Sequence, residues 1–183
     1  MVATKHTIVA LVEDKPGVLN RIASLFRRRN FNIDSIAVGH SEVPHQSRVT
    51  IVVDGATTMV EQVRKQLAKV IDVVKVADIT EEDIVTRELA LIKVKANSAT
   101  RSEIIQIVDI FRANIVDVAM DSVTIEVTGD EEKIKSLYNL LRGFGIKEVA
   151  RTGRIALTRG GAGPISVEEK EPKVGKQEPK KES

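Results

Sequence analysis

Glu13-Asp14-Lys15-Pro16-Gly17-Val18-Leu19 is the stretch of this chain whose residue types and spacing suit chemistry. It follows an apolar run, Ile8 to Val12, that reads as a buried strand. It precedes Leu19, Ile22, Ala23 and Phe26, whose spacing marks one face of a helix. The segment is therefore a strand-to-helix turn. Asp14 or Lys15 is expected near the N-cap, with Pro16 pre-set for the first helical turn. Gly17 keeps the turn free of a side chain, so a ligand can approach the N–H groups of Gly17, Val18 and Leu19. Those groups and the helix dipole favour an anion such as a carboxylate. A carboxylate beside a side chain able to hold an ammonium suggests a free amino acid. An ordinary Pro-Gly helix start has the same spacing, and spacing alone favours that plainer reading.

The elements that position this turn follow a regular order. Arg27-Arg28-Arg29 match the negative end of the helix, and Asn30 is a natural stop. A second strand is expected over Phe31–Val38, a polar loop over 39–47, and a third strand over 48–53 with Val49, Ile51 and Val53 on one side. Thr58 to Glu61 has the form of a capping box and opens a helix carrying Val60, Val63, Leu67 and Val70. Asp72–Ile79 supplies a fourth strand. The order β-α-β-β-α-β is the split βαβ or ferredoxin-like arrangement.

After an acidic hinge, Thr80–Thr86, the pattern starts again. Leu89–Val94 is a strand, and Thr100 to Glu103 has the form of another capping box, before a helix carrying Ile104, Val108 and Phe111. Strands are expected at Asn114–Val118 and Val123–Val127. Asp130 can cap a helix with Ile134, Leu137, Tyr138 and Leu141 on its inner face, and residues 146–150 and 155–157 end the unit. Ala96-Asn97-Ser98-Ala99 stands where the first half has its Asp-x-Pro-Gly turn. The expected fold is α+β, with two tandem ferredoxin-like (βαββαβ) domains. Their bounds are 1–79 and 88–159, with a linker at 80–87. Residues 160–183 contain five Lys, five Glu and three Pro with almost nothing apolar, and are expected to form a disordered tail.

Bulk properties narrow the function. Aromatics are 3% of the 183 residues and Trp is absent, so base-stacking platforms are scarce. A net charge of +2, with the charges interspersed, gives no case for nucleic acid or an acidic membrane. There is no cysteine, which excludes disulfides and thiolate chemistry. No signal h-region and no apolar run long enough to span a bilayer is present, so a cytoplasmic protein is expected. P-loop, dinucleotide and nucleophile-elbow motifs are absent, and no base, nucleophile and oxyanion donor assemble. His40 and His45 lack an acidic cluster to complete a metal site, and no metal is expected. The chain is not expected to be an enzyme.

With the turn and the element order established, the first half resembles an ACT domain, a small-molecule sensing module of amino-acid metabolism. The body as a whole resembles the regulatory (small) subunit of acetohydroxyacid synthase, also called acetolactate synthase. Matching segments are Val12–Leu19, Leu25-Phe26 through Asn30–Ile36, Ser47-Arg48, Gln66-Leu67 with Asp72–Val76, Arg87–Val94, Ile110–Arg112 with Ile115–Val118, and Glu148–Gly153. They are spread over roughly residues 5–160. The resemblance implies a non-catalytic subunit that binds no cofactor. It would activate a catalytic large subunit that carries thiamine diphosphate, Mg²⁺ and usually FAD. It further implies feedback inhibition by a branched-chain amino acid, usually valine, with leucine or isoleucine as alternatives. The implied effector site lies where two ACT domains meet, between Asp14, Gly17, Val18 and Leu19 of one chain and Asn32 and Ile33 of its partner. Many members of that family have Asn where this chain has Asp14, which bears on effector identity and affinity.

A homodimer also follows from the sheet itself. In a split βαβ sheet the second strand is an edge, and Phe31–Val38 is apolar and little blunted by charge, so it invites pairing with its own copy. A stand-alone amino-acid sensor or a ligand-responsive transcription regulator built on ACT domains is the alternative, although no helix-turn-helix or basic stripe stands out.

Overall fold

The structure, a computed structural model, describes residues 5–160. The expected tail therefore lies outside the described residues beyond Gly160. The first half runs β1 (Lys5–Glu13), α1 (Val18–Arg28), β2 (Ile33–His40), β3 (Gln46–Asp54), α2 (Thr57–Leu67) and β4 (Val73–Asp78). Its antiparallel sheet has the order β2-β3-β1-β4, which makes β2 an edge. The second half repeats this with β5 (Ile84–Lys95), α3 (Arg101–Ile110), β6 (Asn114–Val118), β7 (Ser122–Gly129), α4 (Glu131–Leu141) and β8 (Ile146–Arg151), in the order β6-β7-β5-β8. A short strand, β9 (Ile155–Thr158), pairs with the beginning of β5. The α+β class and the tandem βαββαβ architecture are those read from the sequence.

Each half has its own aliphatic core. In the first, Ile8, Ala10 and Val12 of β1 and Val49, Ile51 and Val53 of β3 face Val18, Ile22, Phe26, Val60, Val63 and Leu67 of the two helices. In the second, Ala90, Ile92 and Val94 of β5 with Val123, Ile125 and Val127 of β7 meet Ile104, Val108, Ile134 and Leu137. A further cluster explains why Ile8 to Val12 is continuously apolar. Val9 and Leu11, on the face of β1 away from the helices, pack with Ile79 and Ala156, and with Ile84 beside them. The second half thus lies over the open face of the first sheet, and β1 is covered on both sides.

Several boundaries depart from the sequence reading, each for a local reason. Residues 84–87, expected in the linker, are strand, because they pair in register with residues 158–155 of β9. Phe31 is not in β2. Asn30 takes φ 55 and the Phe31 N–H donates to Phe26 O at 3.1 Å, which ends α1. The Phe31 ring then packs edge-on to Phe26 at 6.4 Å, inside the first core. The polar loop shrinks to five residues, 41–45, because β2 and β3 extend through Gly39–His40 and Gln46–Ser47.

A polar seam completes the contact between the halves. The Arg154 N–H donates to Ser35 Oγ at 3.1 Å, and its guanidinium reaches Glu131 at 2.6 Å and Glu88 at 3.6 Å. Lys5 bridges Asp34 at 3.1 Å and Glu131 at 2.6 Å. Gly153 lies so close to β2 that a Cβ there would meet three backbone atoms of Ile36 and Ala37, the farthest at 2.9 Å. This is a position where only glycine fits without movement.

Candidate functional site: an open helix start beside an edge strand

The turn after β1 is held at both ends. The Glu13 N–H donates to Asp72 O and the Asp14 N–H to His45 O, each at 2.9 Å. Asp72, itself buried, is ion-paired with Arg21 of α1. The peptide from Asp14 to Gly17 is thereby exposed on a fixed frame.

The helix start differs in detail from the expectation. Gly17, not Asp14 or Lys15, is the N-cap, and Pro16 precedes the helix rather than entering it. Gly17 adopts φ 88 and ψ −11, a left-handed conformation that glycine takes at little cost. No side chain caps the helix. The Val18 N–H is turned toward Lys15 O at 3.4 Å, so it is not fully open as expected. Among the described residues no acceptor lies within hydrogen-bonding distance of the Gly17, Leu19 and Asn20 N–H groups. A Cβ built on Gly17 would meet nothing within 4 Å, so the space beside the cap is free.

The side chains around this space can hold both ends of a zwitterion. The exposed Asp14 carboxylate lies 3.3 Å from His40 Nδ1 at the end of β2. Lys15 pairs with Glu13, and this contact raises the Lys15 pKa above its ordinary value. Val18 is buried in the core, while Leu19 is about half exposed and offers an apolar surface. His40 was weighed from the sequence only as a metal ligand, not as a part of this turn. It lies 26 positions after Asp14, and only the register that sets His40 against Ser47, and Ser47 against Val12, brings it to the turn.

The six residues named from the sequence fall into two groups. Asp14, Gly17, Val18 and Leu19 share the turn. Asn32 and Ile33 lie at the opposite end of the sheet, since Ile33 pairs with Val53 and Val53 with His6 near the start of β1. Seven strand steps separate His6 from Glu13, a span of about 23 Å. Within one chain the two groups do not meet.

The equivalent helix start in the second half differs at the cap, although no side chain caps that helix either. Asn97 Oδ1 accepts the N–H groups of Ala99 at 2.9 Å and Thr100 at 3.0 Å. The N-cap N–H that α1 leaves open at Gly17 is, at α3, that of Thr100, and it is taken by Asn97.

Comparison with known proteins places this geometry. A family model described as the AHAS small subunit-like ACT domain matches residues 8–75, and one described as the small subunit of acetolactate synthase matches residues 87–160. A probable acetolactate synthase small subunit from Archaeoglobus fulgidus is 57% identical over 156 residues, covering 85% of this chain and 98% of that protein. The chain belongs to the acetolactate synthase small-subunit family. The small subunit from Mycobacterium bovis is 51% identical over 158 residues, covering 86% of this chain and 94% of its own length. The crystal structure of the small subunit from Thermotoga maritima superposes with a TM-score of 0.80 at 43% identity, over 87% of this chain and 99% of that one. Family membership thus extends over both domains, and the open helix start lies in the part matched as an ACT domain. Among the described residues no helix is long and apolar enough to cross a membrane, and no group of three or more His, Cys, Asp or Glu side chains is placed to hold a metal ion.

Proposed function

We propose that this chain is the regulatory subunit of a cytoplasmic acetolactate synthase. It raises the activity of a separate catalytic subunit and makes that activity sensitive to a branched-chain amino acid, valine first. The observation that carries this reading is the contrast between the two helix starts. The start of α1 has glycine at the cap, an open cap N–H and free space beside it, whereas at α3 the cap N–H of Thr100 is taken by Asn97.

The ligand carboxylate takes the open donors at Gly17 and Leu19, the ammonium faces Asp14, and the apolar side chain meets Leu19. Asn32 and Ile33 come from a second copy. A two-fold dimer through the β2 edges runs those strands antiparallel, so the start of one β2 lies beside the end of the other, where His40 reaches the turn. The site is complete only in the homodimer. Effector binding then shifts the equilibrium of the activated complex, and a tenfold change in activity needs about 1.4 kcal/mol of coupling. Thiamine diphosphate, Mg²⁺ and FAD belong to the catalytic subunit in this reading, and no chemical step is assigned to the present chain.

The test is reconstitution with a purified catalytic subunit and assay with valine, leucine and isoleucine in turn. Gly17→Asp puts a carboxylate where the ligand's own should lie, and Gly17→Ala imposes similar backbone strain without the charge. Gly17→Asp should abolish inhibition and retain activation, while Gly17→Ala keeps measurable inhibition. Full inhibition of the Asp variant would refute the site, and failure of the wild-type chain to associate or activate would refute the function.

A further inference from the structure

The second domain does not close completely over the first sheet. Between them lies a cleft of about 370 Å³, bounded by β2 and β3 on one side and by β5 and β9 on the other. Its walls are mainly aliphatic, from Ala37, Val38, Val85 and Leu157. Three basic side chains, His40, Arg48 and Arg87, also line it, and no acidic one does.

Arg48 is the anomaly. It is partly buried, and its removal from water lowers the guanidinium pKa below its ordinary value, against the weaker opposing field of Glu42. Its Nη2 donates to Ala156 O at 3.0 Å, and among the described residues it forms no ion pair. A guanidinium has five donors in a planar fork that matches a carboxylate. A partly desolvated cation is costly unless an anion compensates it. At the polar end of the same seam the cations are compensated. Lys5 has Asp34 and Glu131, Arg151 has Glu88, and Arg154 has Glu88 and Glu131. Arg48 faces the apolar end without one.

We propose that this cleft binds a small aliphatic monocarboxylate, its carboxylate held by Arg48 and its hydrocarbon part against Ala37, Val85 and Leu157. The volume is near the lower end of small-ligand pockets and admits a short branched acid. With no acidic group in the lining, an ammonium has no counter-charge, so the site prefers the deaminated acid to the corresponding amino acid. Both domains contribute walls, so the ligand also stabilises their docked arrangement. The inference does not rest on the effector turn. Apart from His40, which borders both, its residues are different, and its test needs no catalytic subunit.

The experiment is a calorimetric titration of the full chain with 3-methylbutanoate, which is valine without its amino group, followed by thermal denaturation at saturation. Saturable binding of one molecule per chain with a rise in Tm is expected, and acetate should bind at least tenfold more weakly. Arg48→Met should weaken 3-methylbutanoate at least tenfold. Leu157→Trp should do the same by filling the cleft from a position that is 61% exposed, which keeps the test decisive if the Arg48 variant does not fold. Absence of saturable binding at millimolar 3-methylbutanoate overturns the proposal. So does unchanged affinity in a folded variant, acetate binding as tightly, or valine binding this cleft equally well.

Discussion

Two glycines perform different tasks, and the difference is visible only in their surroundings. Gly17 needs its left-handed φ but has open space around it, so a side chain there costs backbone strain of about 1 kcal/mol and no clash. Gly153 is limited by the backbone of Ile36 and Ala37. Gly153→Ala must push the two domains apart or bend β2, and the cost expected for such overpacking is about 1–3 kcal/mol. Chemical denaturation should show that loss while far-UV circular dichroism retains both helix and strand signals. A variant as stable as the parent would mean that the Thr152–Arg154 segment does not rest on β2 in solution.

At the scale of elements, capping separates what the sequence states from what the chain uses. Asp130 caps α4, with Oδ1 accepting the Lys133 N–H at 2.8 Å, so Asp130→Ala should cost about 1 kcal/mol. Thr58 belongs to an equally good sequence box, yet α2 begins at Thr57 with Ala56 as N-cap and no side-chain cap. Thr58→Ala should therefore change stability by less than about 0.5 kcal/mol. Urea denaturation of the pair would reverse this ranking if the box formed. The order of elements was legible because Val49, Ile51 and Val53 alternate and Val60, Val63 and Leu67 keep helical spacing, and both patterns face real cores. What was not legible depends on distant partners. Residues 84–87 are strand only because β9 arrives some seventy positions later, and Phe31 leaves β2 because Phe26 offers it a place in the core. The turn itself was legible from Pro16-Gly17. Its cap and its neighbour His40 were not, since they depend on backbone angles and on strand register.

The whole molecule is two sheets joined by a seam and ending in an open edge, and each of these features has a measurable consequence. At the edge, Ile36 and Val38 are 41% and 45% exposed, an apolar stripe suited to the proposed pairing of β2 with its own copy. Ile36→Lys should convert dimer to monomer in sedimentation velocity and reduce valine inhibition with it. Retention of the dimer would place the two-fold axis elsewhere. At the seam, the Glu131 carboxyl is held below its ordinary value, chiefly by the hydrogen bond from Lys5, against an opposing effect of burial. The sign follows from linkage. A carboxyl whose folded pKa is depressed adds stability that is fully present above its unfolded value of 4.5 and is lost as pH falls through the lower folded value. Glu61 is also depressed, to about 2, but by Arg64 and Lys65 on its own helix, so it contributes to acid sensitivity without joining the domains. Glu131→Gln isolates the seam. Below pH 4.5 the wild-type Tm should fall more steeply than that of the variant, because Glu61 is common to both and cancels in the comparison. Raising the salt concentration should reduce the difference, since Lys5 and Glu131 are each more than a third exposed on the side chain or close to it. Parallel acid limbs at low salt would show that the Glu131 carboxylate adds nothing to the hold between the two halves.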